Sequence, residues 1–270
     1  MITTASTVLD KLARYELGRS SVALSWLGQA SFALRLGGAT VLVDPFLSPH
    51  PERVVPAPFA AEDARGVDLV LITHDHLDHL DDDAISAIAA ASPSAVVVAP
   101  EDVVERVVEL GVEESRVRGL AAEGHTTLGV LTVDAVPASH GVGMEDAYRL
   151  GPFLGYVVGA GGVRVYHAGD TIPVDGLAES LRKLRPHLAL LPINGRDAER
   201  ETEGIVGNMD AREAARLADD IGADAAIPMH WDMFAGNPGD PAAFVAAVET
   251  TAIVLRHVTP FVYTAPAEAT

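Results

Sequence analysis

The chain has 270 residues, of which 49% are hydrophobic and 21% charged, a balance that is typical of a folded globular protein and excludes a disordered one. Its 38 acidic and 19 basic side chains give a formal net charge of −19, which disfavours nucleic acid and anionic membranes as partners. There are no cysteines, so disulfides are excluded and any transition-metal site must use His, Asp or Glu.

The first half of the chain predicts strands and helices in an order typical of α/β proteins. A short amphipathic lead-in helix is expected at 7–19, and residues 1–20 lack the apolar stretch of a secretory signal. Gly37 and Gly38 indicate a hairpin turn, and a loop at 45–58 with five prolines is long enough to serve as a functional wall or lid. The other predicted elements are strands at 22–26, 31–36, 40–44, 68–72 and 95–99 and helices at 82–91 and 101–110.

The second half repeats this progression from strand pairs to alternating helices and strands. Gly161 and Gly162 again indicate a turn within a strand-rich segment. The predicted strands lie at 130–136, 153–158, 163–167, 188–191 and 225–228, and the predicted helices at 177–184, 211–221 and 241–250. We therefore expect one α/β domain over residues 1–270 with two similar halves packed face to face. No apolar run reaches the length of a membrane span, so we expect a cytoplasmic protein without membrane partners.

The strongest functional signal is a run of metal-ligand residues directly after a predicted buried strand. His74, His76, Asp78 and His79 lie within six positions at the carboxyl end of that strand, where open α/β sheets place their active sites. Imidazole and carboxylate groups are typical ligands of Zn²⁺, Mn²⁺ or Fe²⁺. A polar helix start explains the aspartates at 81–83, but it does not explain three closely spaced histidines in a chain that has only ten.

Three further candidates each follow a short apolar run. His140 ends the segment VPASH, Asp170 ends YHAGD, and His230 ends IPMH. Taken alone, a histidine after a strand is more often structural than a metal ligand. Because strand ends can converge at one edge of a sheet sandwich, the three together predict a single pocket that they share with the earlier run.

The order His-x-His-x-Asp-His, a distal His, a distal Asp and a final His resembles the motif of the metallo-β-lactamase-fold hydrolase superfamily, and the resemblance covers nearly the whole chain. It implies a four-layer αββα sandwich and two bound divalent metal ions. The implied ligands are His74, His76 and His140 for the first ion and Asp78, His79 and His230 for the second, with Asp170 bridging the two.

Segments that flank the motif narrow the resemblance to one branch of the superfamily. These are WLGQASF at 26–32, VLVDP at 41–45, LPINGRD at 191–197, GNM at 207–209 and PMHW at 228–231. Together they resemble the branch that contains L-ascorbate-6-phosphate lactonase. The resemblance implies a hydrolase that opens a phosphorylated sugar-acid lactone with metal-activated water, with Zn²⁺ or Mn²⁺ as the metal. Asp78 is the predicted catalytic residue, which orients the water or carries a proton to the leaving alkoxide.

Four residues are candidates for contact with the substrate. Arg196 and Arg200 follow a predicted strand end in a chain with few basic residues and can grip a phosphate or carboxylate, so a small anionic molecule is the expected partner. The alternative is a solvated loop in which both pair with neighbouring acidic side chains. Asn194 belongs to the same segment, and Trp231, beside His230, either forms a pocket wall or packs in the core.

Other functions remain open from the sequence. The same kind of site hydrolyses phosphodiesters, other esters and amides. A diiron redox domain is disfavoured because the branch with that chemistry carries Glu where His76 stands, and a non-catalytic metal-stabilised scaffold is disfavoured because all seven predicted ligands are present. We also expect that Gly28 and Gln29 place a backbone amide or a side chain near the metals, and that the chain can form a homo-oligomer.

Overall fold

The computed structural model describes residues 7–266 and shows two seven-stranded β-sheets flanked by α-helices. The strands are β1 (Ser21–Gly28), β2 (Ser31–Leu36), β3 (Ala39–Val43), β4 (Leu69–Leu71), β5 (Val96–Pro100), β6 (Val117–Leu120), β7 (His125–Leu128), β8 (Leu131–His140), β9 (Arg149–Ala160), β10 (Val163–His167), β11 (Leu188–Pro192), β12 (Ala225–Met229), β13 (Thr251–Ala252) and β14 (Phe261–Thr264). The helices are α1 (Val8–Ala13), α2 (Asp82–Ala91), α3 (Val104–Glu109), α4 (Leu177–Leu184), α5 (Ala198–Thr202), α6 (Ala211–Ile221) and α7 (Pro241–Ala247).

The two sheets have matching topologies, which confirms the predicted similarity of the two halves. The first sheet has the order β14-β1-β2-β3-β4-β5-β6, antiparallel up to β3 and parallel from β3 to β6. The second has the order β13-β12-β11-β10-β9-β8-β7, antiparallel from β7 to β10 and parallel from β10 to β13. Both predicted hairpin turns, at 37–38 and 161–162, connect antiparallel neighbours.

Alternating side chains divide the strands of the first sheet between two apolar cores. On β3, Val41 and Val43 belong to the core shared by the two sheets, whereas Leu42 belongs to the core formed with α1, α2 and α3. This period of two means that the sheet is covered on both faces. On the other side of the molecule, α4 and α6 pack against the second sheet. The predicted four-layer αββα sandwich is confirmed.

The predicted lead-in helix at 7–19 is wrong in length, because α1 ends at Ala13. The buried face of α1 ends with Leu12, and the residue one turn later, Glu16, is charged and cannot continue an apolar stripe. The lead-in segment as a whole is expected to span residues 1–20, and its first six residues lie outside the described part of the chain.

Two other predicted helices are also shorter in the structure. The segment predicted at 101–110 begins with a 3₁₀ turn and is α-helical only in α3. The helix predicted at 241–250 ends at Ala247. Val248 N still donates to Phe244 O, but the backbone N–H groups of Glu249 and Thr250 donate instead to the carboxylate of Asp219 on α6. The sequence did not predict α5 or the short strands β6, β7, β13 and β14.

The topology brings several strand ends to one edge of the sandwich. The parallel strands β3 and β4 of the first sheet and β11 and β12 of the second all end there, followed by loops that carry polar side chains. Between residues 7 and 266, no helix has both the length and the apolar character that crossing a bilayer requires.

Candidate metal centre

Seven histidine and aspartate side chains meet at this edge of the sandwich. Four of them come from the turn between β4 and α2, where a tight backbone turn joins His79 N and Leu80 N to His76 O. The others are supplied by the last residue of β8, the loop after β10 and the residue directly after β12. They form two groups, one of His74, His76, His140 and Asp170 and one of Asp78, His79 and His230. These groups have the members that the family resemblance implies for two metal ions.

The spacing of the donor atoms suits coordination to a cation. Within each group, one donor atom from every residue lies within 4.8 Å of those of the others. His140 Nε2 is 3.2 Å from His76 Nδ1, and His230 Nε2 is 3.4 Å from Asp78 Oδ2. Ligands at about 2.0–2.1 Å from a tetrahedral cation are separated from one another by about 3.3 Å. The measured separations are close to that edge length.

Asp170 is shared by the two groups. Its Oδ1 atom lies 3.3 Å from His79 Nε2 and 3.2 Å from His230 Nε2, while its Oδ2 atom lies 3.5 Å from His140 Nε2. The carboxylate is nearly inaccessible, with 5% of its side chain exposed. Its position between the groups is the one that a bridging ligand requires.

Buried polar atoms without partners show that the cluster is incomplete as a purely hydrogen-bonded network. His74 Nε2, His79 Nε2 and Asp170 Oδ1 are all buried and make no hydrogen bond of acceptable geometry with the rest of the described chain. Leaving such atoms unpaired costs about 1–3 kcal/mol each. A neutral imidazole nitrogen and a carboxylate oxygen are ligands of Zn²⁺ and Mn²⁺, so the residues fit a divalent cation.

Asp44 and Thr73 hold the histidines from behind. Asp44 Oδ2 lies 2.7 Å from His79 Nδ1 and also accepts the Thr73 hydroxyl, while Asp44 Oδ1 accepts the Thr73 backbone N–H. The same hydroxyl lies 3.1 Å from His74 Nδ1. A carboxylate on the rear nitrogen of a histidine fixes its tautomer and directs the other nitrogen to the metal. Asp44 was singled out in the sequence only as part of a flanking segment.

Gln29 reaches the second group from the turn between β1 and β2. Its Nε2 atom donates to Asp78 Oδ2 at 2.8 Å and lies 3.2 Å from His230 Nε2, and its main-chain oxygen accepts the His230 N–H. The structure thus brings the Gln29 side chain to the cluster, as expected. Gln29, Asp44 and His230 all have positive φ angles, of 54°, 43° and 60°. Strained backbone of this kind in non-glycine residues persists where surrounding contacts enforce it, often at functional sites.

The electrostatics differ between the two groups in the cation-free protein. Burial lowers the pKa of His140 to about 4 and holds the pKa of His74 well below its usual value. Burial is the largest single influence on His230 and would lower its pKa, but the charges of Asp170 and Asp78 and their hydrogen bonds to the ring together outweigh it and raise this pKa to about 9. Burial alone would raise the pKa of Asp78, but the charges of His79 and His230 and the hydrogen bond from His230 together hold this pKa below its usual range, so Asp78 is ionised at neutral pH.

A cavity of about 670 Å³ opens from the cluster to the surface. Four of the clustered residues line it, namely His76, Asp78, Asp170 and His230. The remaining walls come from the proline-rich loop predicted at 45–58, from the segment after α5 and from the segment after β12. A volume of this size accommodates a small molecule next to the cluster.

Arg196 and Arg200 are both engaged by partners within the protein. Arg196 forms a two-pronged ion pair with Glu213, at 2.6 and 2.8 Å, and donates to Asn208 O. Arg200 donates to Asp197 Oδ2, Asn194 O and Asn237 Oδ1. Neither arginine is among the described residues that line the cavity. Direct contact of these arginines with a substrate stays a prediction.

Asn194 and Trp231 lie behind the cavity wall. The side chain of Asn194 is buried and hydrogen-bonded to Asn208 and to Asn237, and only Asn237 lines the cavity. Trp231 packs against Trp26, with ring centroids 5.1 Å apart, and donates to Pro228 O. The structure therefore places neither residue in the cavity wall: Asn194 supports the wall residue Asn237, and Trp231 packs against Trp26.

Comparison with known proteins identifies the family. The family model of the beta-lactamase superfamily domain matches residues 39–231. The chain belongs to this superfamily. A UPF0173 metal-dependent hydrolase of Aeropyrum pernix is 37% identical over 243 residues, which cover 84% of this chain and 89% of that protein. A second UPF0173 metal-dependent hydrolase, from Methanopyrus kandleri, is 32% identical over 233 residues, or 84% of this chain and 91% of that protein.

A solved structure has the same superfamily fold. Igni18, a metallo hydrolase from Ignicoccus hospitalis, superimposes with a TM-score of 0.73 at 24% sequence identity, covering 91% of this chain and 100% of that chain. At this identity the likeness bears on the fold alone. The two UPF0173 relatives identify this superfamily member as a metal-dependent hydrolase, and the likeness to Igni18 supports its metallo-β-lactamase fold.

Proposed function

We propose that this metal-dependent hydrolase opens lactones and holds two divalent cations, Zn²⁺ or Mn²⁺, at the seven-residue cluster. The observation that carries the two-cation proposal is the position of Asp170, whose two carboxylate oxygens face different histidine groups. The first cation would be held by His74, His76 and His140, and the second by Asp78, His79 and His230, with Asp170 contacting both. When bound, such a pair of cations polarises the substrate oxygen and acidifies water.

Asp78 is positioned to move a proton between the cluster and the cavity. It lines the cavity, and 19% of its side chain is exposed, whereas the imidazole of His79 is completely buried. Gln29 Nε2 holds its Oδ2 atom at 2.8 Å. An ionised carboxylate in this place can accept a proton from the attacking water and deliver it to the alkoxide that leaves when the ring opens.

The choice of a lactone is supported by the flanking segments that resemble the lactonase branch. Several of them surround the cluster: Asp44 and Gln29 belong to two of these segments and contact His79 and Asp78. The anionic group expected in the substrate is not part of this proposal, because the guanidinium groups of Arg196 and Arg200 are held by protein partners.

The test is hydrolysis of a substrate panel by protein stripped with a chelator and then reloaded with Zn²⁺ or Mn²⁺. We expect the reloaded protein to open γ- and δ-lactones, with proton release followed in a pH-stat, and the stripped protein to be inactive. Asp170→Asn should lower kcat/KM by more than about 100-fold together with metal content. Asp134→Asn, which changes an aspartate on β8 that pairs with His125, is the matched control and should retain activity. Cleavage of a phosphodiester or β-lactam chromogen with the lactones untouched would overturn the lactone assignment.

A further inference from the structure

Apolar side chains form a large part of the wall of the cavity beside the metal centre. The apolar lining residues are Pro51, Val54, Leu77, Val142, Phe234, Ala235 and the pair at 205–206. Val54, Leu77 and Val142 are 59%, 50% and 58% exposed, so they lie at the open side of the cavity rather than in the core. Exposed apolar side chains gathered around a cavity are typical of a binding surface for an apolar ligand.

The charged groups of the wall are acidic. Apart from the clustered residues, the charged side chains that line the cavity are those of Glu52 and Glu203, both exposed. No lysine or arginine occurs among the lining residues in the described chain. An anionic substituent lying along this wall, away from the metal centre, would meet like charges with no lysine or arginine of the lining to pair with it. It would also lose part of its hydration to apolar neighbours.

Arg53 lies between two lining residues in the sequence, but its guanidinium group contacts protein partners outside the lining. Arg53 donates to the main-chain oxygens of Phe46, Ser48 and Val55, and its guanidinium lies 4.7 Å from the Phe46 ring centroid. It is half-buried, and burial lowers its pKa. Arg200 also has protein partners: its Nε donates to Asp197 Oδ2, and its Nη1 donates to Asn194 O and Asn237 Oδ1. Through these hydrogen bonds the two arginines stabilise the loops that form the wall.

We propose that the site selects uncharged substrates that carry an apolar substituent, and that Glu52 and Glu203 exclude substrates with an anionic substituent. This inference rests on the proposed function, because the substituent is defined by its attachment to the lactone that the metal centre opens. The apolar side chains contact the substituent, while the two carboxylates set the charge that the open side of the cavity accepts.

The experiment measures binding separately from turnover. Two hydroxamates are titrated calorimetrically into metal-loaded protein: a medium-chain alkyl hydroxamate, and the same chain ending in a carboxylate. Both present the same metal-binding group, so the ratio of their Kd values reports the preference of the cavity. We expect the alkyl compound to bind at least about tenfold more tightly, a difference equivalent to about 1.4 kcal/mol.

Variants of Glu52 and Glu203 test whether these carboxylates cause the preference for the alkyl hydroxamate. The double variant Glu52→Gln/Glu203→Gln should narrow the ratio of Kd values by about fivefold, as expected for two screened charges on the order of 8 Å from the ligand carboxylate. The matched control is Glu105→Gln/Glu109→Gln, which removes the same net charge from exposed positions on α3 outside the cavity lining. An equal change of the ratio in both variants, or no change in either, would show that the two cavity carboxylates do not select against anions.

Failure of this inference can be told apart from failure of the proposed function. If no lactone is opened but the alkyl hydroxamate is preferred, the lactone assignment is wrong and the preference of the cavity stands. If lactones are opened and the anionic hydroxamate binds as tightly as the alkyl compound or more tightly, the selectivity proposed here is overturned. If neither hydroxamate binds to protein that has been incubated with Zn²⁺ or Mn²⁺, both proposals fail.

Discussion

Asp44 Oδ2 lies 2.7 Å from His79 Nδ1, and both side chains are completely buried. The carboxylate accepts the Nδ1 proton, which leaves His79 Nε2 as the atom that faces Asp170 and Asp78. The orientation of a ligand in the second group thus depends on a residue that contacts neither the cavity nor a substrate. The pairing links the end of β3 to the metal centre.

The first prediction concerns this pairing. Asp44→Asn should lower the affinity for the divalent cation by about 10–100-fold, because the amide cannot fix the His79 tautomer with the same strength. Calorimetric titration of chelator-stripped protein with Zn²⁺ measures the affinity, and circular dichroism checks that the fold is retained. The control is Asp68→Asn, since Asp68 accepts a backbone N–H from Thr40 at the other end of β3. Equal affinities in the Asp44 variant and in the unaltered protein would contradict a positioning role.

The second prediction concerns Gln29, which contacts Asp78 and His230 but belongs to neither metal-ligand group. Gln29→Ala removes a hydrogen bond to an ionised carboxylate, and such bonds contribute about 1.5–3 kcal/mol. We expect kcat to fall by about 10–100-fold, with KM and the bound metal per chain nearly unchanged. Steady-state kinetics and metal analysis of the same preparation measure these quantities. Loss of metal in parallel with kcat would instead show that Gln29 maintains the cluster itself.

The third prediction gives Arg196 and Glu213 a structural role. The hydrogen bonds from Arg196 hold the pKa of Glu213 below its usual value. A carboxyl whose pKa is lower in the folded state stabilises the protein above the unfolded-state pKa of about 4.3, and this contribution is lost as the pH falls through the folded-state value. Glu213→Gln should therefore lower the free energy of unfolding at pH 7 by about 1 kcal/mol, discounted for partial exposure. The glutamine keeps the capping contact with Asp210 N, so helix α6 is retained.

Urea unfolding of chelator-stripped protein between pH 7 and pH 4 measures this contribution. The difference between Glu213→Gln and the unaltered protein should shrink towards pH 4. The hydrolase activity of the reloaded variant should be close to that of the unaltered protein. A large rise in KM with an unchanged free energy of unfolding would instead restore Arg196 as a substrate contact.

The candidate ligands could be predicted because each follows a strand in the sequence. His140 and His230 stand at the end of apolar runs that become β8 and β12, and the rule that strand ends share a sheet edge was sufficient to group them. The positioning residues were harder to predict. Asp44 contacts a histidine 35 positions away, and Gln29 contacts one 201 positions away. No local sequence pattern predicts contacts between residues so far apart. A single aspartate between an apolar strand and Pro45 was the available signal for Asp44.

The partners of the two arginines could not be predicted from the sequence. Arg196 and Arg200 lie four positions apart in a strongly acidic chain, which left an anion site and pairing with neighbouring acidic side chains equally open. The decisive partners, Glu213 and Asn237, lie 17 and 37 positions further along, on α6 and in the loop after β12. The strand β14 was missed for the same reason, because it is four residues long and pairs with β1 from the far end of the chain. Short elements and distant partners depend on tertiary contacts that periodicity does not encode.

The fourth prediction concerns Gly169, which precedes Asp170, the aspartate that faces both histidine groups. Gly169 has a φ of +61°, and a Cβ there would lie 2.8 Å from both Thr73 Cβ and Leu154 O. Gly169→Ala should therefore displace Asp170 or Thr73 and abolish metal loading. We expect the steric contact to lower the free energy of unfolding by about 1–3 kcal/mol, in addition to the cost of placing an alanine at a positive φ.

Gly222→Ala is the matched control, because Gly222 ends α6 with a φ of +68° and nothing within 4 Å of its Cβ position. In this variant only the positive φ should lower the free energy of unfolding, by about 1 kcal/mol. The variant should bind metal as the unaltered protein does. Urea unfolding and metal analysis of both variants separate the conformational cost of the positive φ from the cost of the steric contact at Gly169. If both alanines destabilise the chain equally and both variants retain metal, the close approach of Gly169 to Thr73 does not position Asp170. If the Gly169 variant alone loses metal, the small residue before Asp170 is required because the β4 and β10 loops approach too closely there to admit a side chain.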